Sequence, residues 1–352
     1  MKLIHGGDVA GYRLRYGREP LDFSASLNPL GMPEGVIAAA REAVAGSVAY
    51  PDPLCRDLVR ALARHRGLPE RFFYCGNGAA DVIYRLVQVL KPRRALLVAP
   101  SFAEYEQALA GVGCECRFHT LSRNNGFILD EGILGKITGG VDMVFLCQPN
   151  NPTGLAVEPE LAAAMLRRSA DVGAVLFADE CFCHFLDRPE ERSLARFLGG
   201  FPNLFILDSF TKLYGMAGLR LGYGMTGDRA VAERLHAAGQ PWTVSTVAQA
   251  AGLAALSETG YVEESRRRIA SAKRVLADGL RQVGCTVFGG DANYLFFHSS
   301  IHDLDHRLMR DGVLIRNCGN YRGLEPGYFR VAVRLEEENE TLLQAMRKNM
   351  NG

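Results

Sequence analysis

No apolar run in the sequence approaches the ~20 residues that cross a bilayer. The opening stretch MKLIHGGDVAGYRLRYG also lacks the apolar core of a secretion signal. Both absences point to a cytoplasmic protein without a membrane partner. Nor is there a field of one charge. The 40 Lys and Arg stand against 39 Asp and Glu, a net charge of +1, so a nucleic acid finds no broad basic face. Any anion must be held by a local site. Internal repeats, low-complexity tracts and long Gly/Ser/Pro linkers are missing as well. The nine cysteines form no Cys-x-x-Cys pair, are odd in number and are scattered. CFCH (181–184) and CEC (114–116) leave one-residue gaps, which suit alternate strand faces better than a tetrahedral zinc. We read them as reduced, structural thiols. His302 and His306, four apart in HDLDH, share a helix face and are the one metal candidate, but no further ligand cluster accompanies them. No metal is expected.

What is present is length and pattern. The 352 residues allow roughly two domains at ~150 residues each. RALLVAP (94–100), VDMVFLCQP (141–149), GAVLFADE (173–180) and NLFILDSF (203–210) are uninterrupted apolar runs capped by polar residues, the pattern of strands buried on both faces. Amphipathic stretches such as 102–113 and 158–173 lie between them. The alternation predicts an α/β domain with a mostly parallel sheet, whose chemistry gathers beyond the carboxyl ends of the strands. From Trp242 a long helical stretch leads into short strands CTVF, NYLFFH, VLIRNC and YFRVAVR, the pattern of a smaller α+β domain. The expected boundaries are an irregular N-terminal segment over 1–33, packing on the active site and the small domain, a large domain over 34–240 and a small domain over 241–352.

The residues after the apolar runs carry the chemistry. In DSFTKLYGMAGLRLGYG (208–224), Lys212 follows Ser209 and Thr211, and Arg220 stands eight residues on among glycines. An ordinary surface lysine needs none of these neighbours. A desolvated lysine beside a cation has a lowered pKa and attacks aldehydes. Hydroxyls, a guanidinium and glycines close by suit a phosphate. The combination fits an aldehyde that carries a phosphate, pyridoxal 5'-phosphate (PLP). PLP as an electron sink needs a carboxylate at its pyridine nitrogen, and Asp179 ends the run GAVLFA. Its phosphate needs backbone N–H groups at a helix start, which CGNGAADVIYRLVQVL (75–90) offers through Gly76, Asn77, Gly78 and Ala79. Phe102 in APSFAEY can stack on the ring, and Asn151 in QPNNPTG can donate to the phenolic oxygen. Singly, these are an ordinary strand-end acid, a glycine before a helix, a core aromatic and an Asn-Pro turn.

Their order and spacing resemble the fold type I PLP enzymes, in the branch of histidinol-phosphate aminotransferase and threonine-phosphate decarboxylase, over essentially the whole length. The resemblance implies that Lys212 holds the cofactor aldehyde, Ser209 and Arg220 the cofactor phosphate, Asp179 the pyridine nitrogen and Asn151 the phenolic oxygen. Tyr50 in AYPDP looks like the tyrosine that reaches the cofactor phosphate of a neighbouring subunit, which implies a homodimer with shared sites. One position departs. The aminotransferases usually carry tyrosine three residues after the aspartate, and here Phe182 stands there, leaving Asn151 as the main donor to the phenolic oxygen.

Three stretches look more like the threonine-phosphate decarboxylases of cobalamin biosynthesis than like the aminotransferases: HGGDV, DFSASLNPLGMP (22–33) and LIRNCGNYRGLEPGYFRVAVR (314–334). By that similarity Arg330 binds a substrate carboxylate, and His5, Ser26, Asn28 and Arg316 line a substrate phosphate site. The implied reaction is decarboxylation of L-threonine O-3-phosphate to (R)-1-amino-2-propanol O-2-phosphate. Transamination of histidinol phosphate is the alternative. A PLP-binding regulator is disfavoured, because such proteins usually carry a basic helix-turn-helix ahead of the fold. Serine phosphate remains open as the substrate, since one methyl is worth only ~1–3 kcal/mol of discrimination.

Overall fold

The apolar runs become strands because both of their faces must leave water. The computed structural model of the chain describes residues 6–350, so His5 lies outside the described residues. Among the described residues the strands are β1 (Leu21–Asp22), β2 (Phe73–Gly76), β3 (Arg94–Ala99), β4 (Glu115–Thr120), β5 (Met143–Cys147), β6 (Val175–Asp179), β7 (Leu204–Ser209), β8 (Gly222–Thr226), β9 (Thr286–Phe288), β10 (Tyr294–His298), β11 (Val313–Leu314), β12 (Arg316–Asn317) and β13 (Tyr328–Ala332). Strands β2 to β8 form one sheet in the order β2-β8-β7-β6-β5-β3-β4. Only β8 runs against its neighbours; β7, β6, β5, β3 and β4 are parallel to one another. Helices such as Gly78–Leu90 and Pro159–Asp171 make the connections that parallel strands require. This is the α/β class with a mostly parallel sheet that the alternating pattern predicts.

Phe145, Phe177 and Phe205 are directly opposite one another across β5, β6 and β7, so their rings share one face. Ring centroids lie 4.9 Å apart for the first pair and 5.9 Å for the second. Tyr105, from helix Ala103–Ala110, packs on this layer 5.2 Å from Phe145. Aromatic pairs in such geometry contribute about 0.5–1.5 kcal/mol each beyond their area. The layer fixes the face on which Asp179, two residues beyond Phe177, emerges.

A second, antiparallel sheet has the order β12-β13-β10-β9. It is backed by helices Tyr261–Gln282 and Glu336–Met350, so close that a side-chain carbon on Gly279 would overlap Leu343. The long helical stretch is in fact two helices, Thr246–Leu256 and Tyr261–Gln282, because Gly260 takes φ +81° and breaks the run. The first of them packs on helix Glu34–Ala43 and presses Gly252 against Leu58 and Leu221. VLIRNC is not one strand. β11 pairs with β1, and after Ile315 the chain changes partner so that β12 pairs with β13. The N-terminal segment, expected to be irregular, contains the helix Val9–Tyr16, begun by the Asp8 carboxylate on the Gly11 N–H and ended by Gly17 in the left-handed region. Among the described residues no helix is long and apolar enough to cross a membrane, and the nine cysteines are free thiols.

Candidate active site

Parallel strands deliver their last residues to one edge. Cys147, Asp179 and Ser209 end β5, β6 and β7, and all three line a cavity of about 220 Å³. After Ser209 the chain turns at once into the single helical turn Phe210–Leu213, which carries Thr211 and Lys212. Both of these also line the cavity. The half-buried Lys212 puts its Nζ 5.9 Å from the centroid of the Phe182 ring. Burial, and then the nearby Arg330 and Arg220, lower its ammonium from 10.5 to about 8.

Asp179 accepts hydrogen bonds from Tyr105 Oη at 2.6 Å and from the Cys181 N–H at 3.0 Å. Burial nonetheless pushes its pKa up, against the pull of these donors, and the charge of Asp208 pushes the same way. A carboxylate in this state gains from a cationic N–H brought to it.

At the other end of the cavity, helix Gly78–Leu90 begins next to Arg220. Gly78 takes φ +80°, and a side-chain carbon there would collide with the Arg220 guanidinium. Gly222 of β8 is equally constrained, since a side-chain carbon would come within 2.5 Å of the Ala79 nitrogen. Arg220 itself sits at φ +58°, a conformation that L-residues seldom adopt. Glycine is needed on both sides so that a strand, a helix start and a guanidinium can converge. Ala79, Arg220 and Ser209 all line the cavity. Together they could cradle a phosphate.

The third wall comes from the small sheet. Arg316 and Arg330 are directly opposite partners on β12 and β13, 8% and 7% exposed, and both line the cavity. Like charges directly opposite each other on one face are unfavourable. Arg330 donates to Asn151 Oδ1 at 2.5 Å and to the Ser24 carbonyl at 2.9 Å, both neutral acceptors. Its Nε is buried with no partner, and so is the Oγ of Ser26, another lining residue. Leaving such groups unmet costs about 1–3 kcal/mol each. The cavity therefore offers donors to an anionic ligand. With its oxygen accepting from Arg330, Asn151 has its amide N–H₂ left as a donor.

A lysine with a lowered pKa, a buried carboxylate, a candidate anion cradle and an aromatic ring, Phe102, all on the wall of one cavity fit PLP. Lys212 would hold its aldehyde, Asp179 its pyridine nitrogen, and Ser209, Ala79 and Arg220 its phosphate. A model of the aminotransferase class I and II family matches residues 18–346. The chain belongs to that family. Threonine-phosphate decarboxylase of Salmonella typhimurium is 38% identical, over 99% of this chain and 97% of that enzyme. Histidinol-phosphate aminotransferase of Symbiobacterium thermophilum is 35% identical, over 91% and 88%. The crystal structure of the histidinol-phosphate aminotransferase from Clostridium acetobutylicum superposes with a TM-score of 0.87 at 29% identity, covering 94% of this chain and 99% of that one.

Within this aminotransferase class I and II chain the structure redistributes some expected roles. Asn28 does not line the cavity. Its N–H donates to the Lys212 carbonyl at 3.0 Å, and its amide donates to the Leu213 carbonyl and to Ser265 Oγ, both at 2.7 Å. These bonds brace the turn of Lys212. Tyr50 is 79% exposed, stacked on Trp242 at 4.6 Å, and is absent from its own chain's cavity wall. Tyr105 and Tyr321 escaped the sequence reading. Tyr105 bonds Asp179. Tyr321 lies under the Arg316 guanidinium, 5.1 Å from ring centroid to carbon, with its hydroxyl 3.4 Å from Asn151 Oδ1. The spacing of Tyr105 three residues after Phe102 was the one signal for it. Nothing local marked Tyr321.

Proposed function

We propose that this family member is a PLP-dependent carboxy-lyase that decarboxylates L-threonine O-3-phosphate to (R)-1-amino-2-propanol O-2-phosphate in cobalamin biosynthesis. The observation that carries the reading is the buried, unpartnered Nε of Arg330 beside Arg316, on the wall facing Lys212. Two cationic anchors suit a substrate with two anionic groups. The full-length similarity to the Salmonella threonine-phosphate decarboxylase supports the same assignment.

The bound cofactor supplies an electron sink for the pair left when the bond from Cα to the carboxylate breaks. The protein decides which bond that is. Arg330 binds the carboxylate, while Arg316 and Ser26 bind the substrate phosphate. Two anchors on one small molecule fix the twist about its Cα–N bond, and a small misplacement can cost ~100-fold in rate. Asp179 keeps a proton on the ring nitrogen, which strengthens the sink. Lys212 would hold the aldehyde in the resting protein and, with its lowered pKa, would deliver the proton that replaces CO2 at Cα. Phe182 presents only an aromatic face next to Lys212, so Asn151 alone of the two expected donors serves the phenolic oxygen.

Replacing Arg316 by alanine is expected to lower kcat/KM for threonine phosphate by ~30- to 1,000-fold, the effect of losing one buried charge contact. Activity on unphosphorylated threonine should stay near its starting level. Equal losses on both compounds in steady-state assays would remove Arg316 from the phosphate site.

The chain works as a homodimer in this reading, with Tyr50 completing the cofactor phosphate site of the second copy. Val48 at 98% exposure and the stacked pair Tyr50 and Trp242 are apolar side chains open to solvent, which a second copy would cover. Light scattering should give twice the 38.5 kDa chain mass. A fully active monomer would refute the shared site.

A further inference from the structure

Asp208 is a buried carboxylate for which the reaction has no direct use. It is 1% exposed and does not line the active-site cavity. It precedes Ser209 on β7, so its side chain emerges on the opposite face of the sheet. There it collects four partners. Its Oδ1 accepts the backbone N–H of Ser209 at 2.7 Å. Its Oδ2 accepts Tyr223 Oη at 2.7 Å and lies 2.8 Å from His184 Nε2. Arg66 Nη1 stands 3.6 Å from the same oxygen and 3.4 Å from His184. Burial pushes the carboxyl upward, but His184, Arg66 and Tyr223 together hold it below its ordinary value, so it is ionised.

Three of these partners, Ser209, His184 and Tyr223, belong to different parts of the cofactor site, and Arg66 adds a cation from the end of the helix Arg56–Arg66. Ser209 opens the turn that carries Lys212. His184 lies in the short helical turn Cys183–Phe185, just after Asp179, Cys181 and Phe182. Tyr223 is paired with Asp208 across the sheet and follows Gly222, which presses on the Gly78–Ala79 helix start. The aldehyde end, the pyridine end and the phosphate end of the site therefore meet, behind the sheet, on one carboxylate.

We propose that Asp208 is a positioning residue that joins these three segments and sets the spacing of the groups that hold the cofactor. The proposal rests on the cofactor reading above. Hydrogen bonds to a charged group in a buried network are worth more than isolated neutral ones, and removing the charge leaves His184 and Arg66 facing a weaker acceptor.

The test titrates the full chain with PLP and reads binding by absorbance, with thermal unfolding of each variant measured alongside. Asp208→Asn should raise the PLP dissociation constant about tenfold. It should lower kcat while leaving the KM for threonine phosphate within about twofold, because Arg316 and Arg330 lie on the other sheet. Tyr223→Phe removes one arm only and should raise the constant about threefold, which keeps the test decisive if Asp208→Asn does not fold. Folded variants that bind PLP as tightly as the wild type, even with a lowered unfolding temperature, would make Asp208 purely structural and overturn the proposal. Failure of the wild-type chain itself to bind PLP would instead overturn the cofactor reading.

Discussion

Replacement of Lys212 by alanine is expected to abolish turnover, with a loss of about 10⁴-fold, the upper end of what one acid–base group contributes. Two roles disappear together. In the proposed mechanism the chain loses both the amine that holds the aldehyde and the group that returns a proton to Cα. The phosphate cradle of Ala79, Ser209 and Arg220 is untouched, so the variant should still bind PLP, but borohydride should no longer fix it to the protein. The wild-type lysine has a characteristic pH signature. Its ammonium is lowered from 10.5 to about 8 by burial, then by Arg330 and Arg220. Only the neutral amine attacks an aldehyde, so PLP capture by the cofactor-free chain should rise ~10-fold per pH unit below pH 8 and level off above it. A capture rate that keeps rising to pH 10 would mean that the lysine is unperturbed. Substantial activity in Lys212→Ala would remove Lys212 from the chemistry.

Replacement of Asp179 by asparagine is expected to reduce kcat by ~10²–10³-fold, the range for removing one electrostatic partner from a buried reacting centre. Asparagine keeps the shape and one of the two acceptors that Tyr105 and the Cys181 N–H now use, and thermal unfolding checks that the variant is folded. What it cannot do is hold a positive charge on the ring nitrogen. In the cofactor-free chain burial raises the Asp179 pKa despite the Tyr105 and Cys181 donors; a pyridinium N–H at hydrogen-bond distance would reverse that. The loss should fall on kcat, with the KM for threonine phosphate changed by less than about threefold, because the proposed substrate anchors are on β12 and β13. A variant with full kcat, measured by CO2 release, would show that the ring nitrogen needs no carboxylate here.

The strand runs were legible because burial on both faces leaves little choice of residue. Each of the four predicted runs contains a strand that ends within about three residues of the expected position. Lys212, Asp179 and Arg220 were legible for a related reason: each follows such a run or sits among glycines whose only use is close approach. Contacts between distant segments were not. The bond from Tyr105 to Asp179 joins residues 74 apart, and that from Arg330 to Asn151 joins residues 179 apart; no local pattern encodes either. The contacts of Asn28 were hidden for the same reason, since its partners Leu213 and Ser265 become neighbours only when the chain folds. The change of sheet at Ile315 was hidden too, because an apolar run does not say which strand will be its neighbour. Yet that change is what brings Arg316 opposite Arg330.

In the proposed mechanism two arginine anchors turn the carboxylate of threonine phosphate, and not its Cα hydrogen, toward the electron sink. Carboxyl-labelled threonine phosphate incubated with the PLP-loaded protein and an added keto acid separates the two outcomes in one measurement. The predicted result is one labelled CO2 for each substrate consumed, with the amino group retained on aminopropanol phosphate. Amino transfer to the keto acid with the label left on a phosphorylated acid would contradict it.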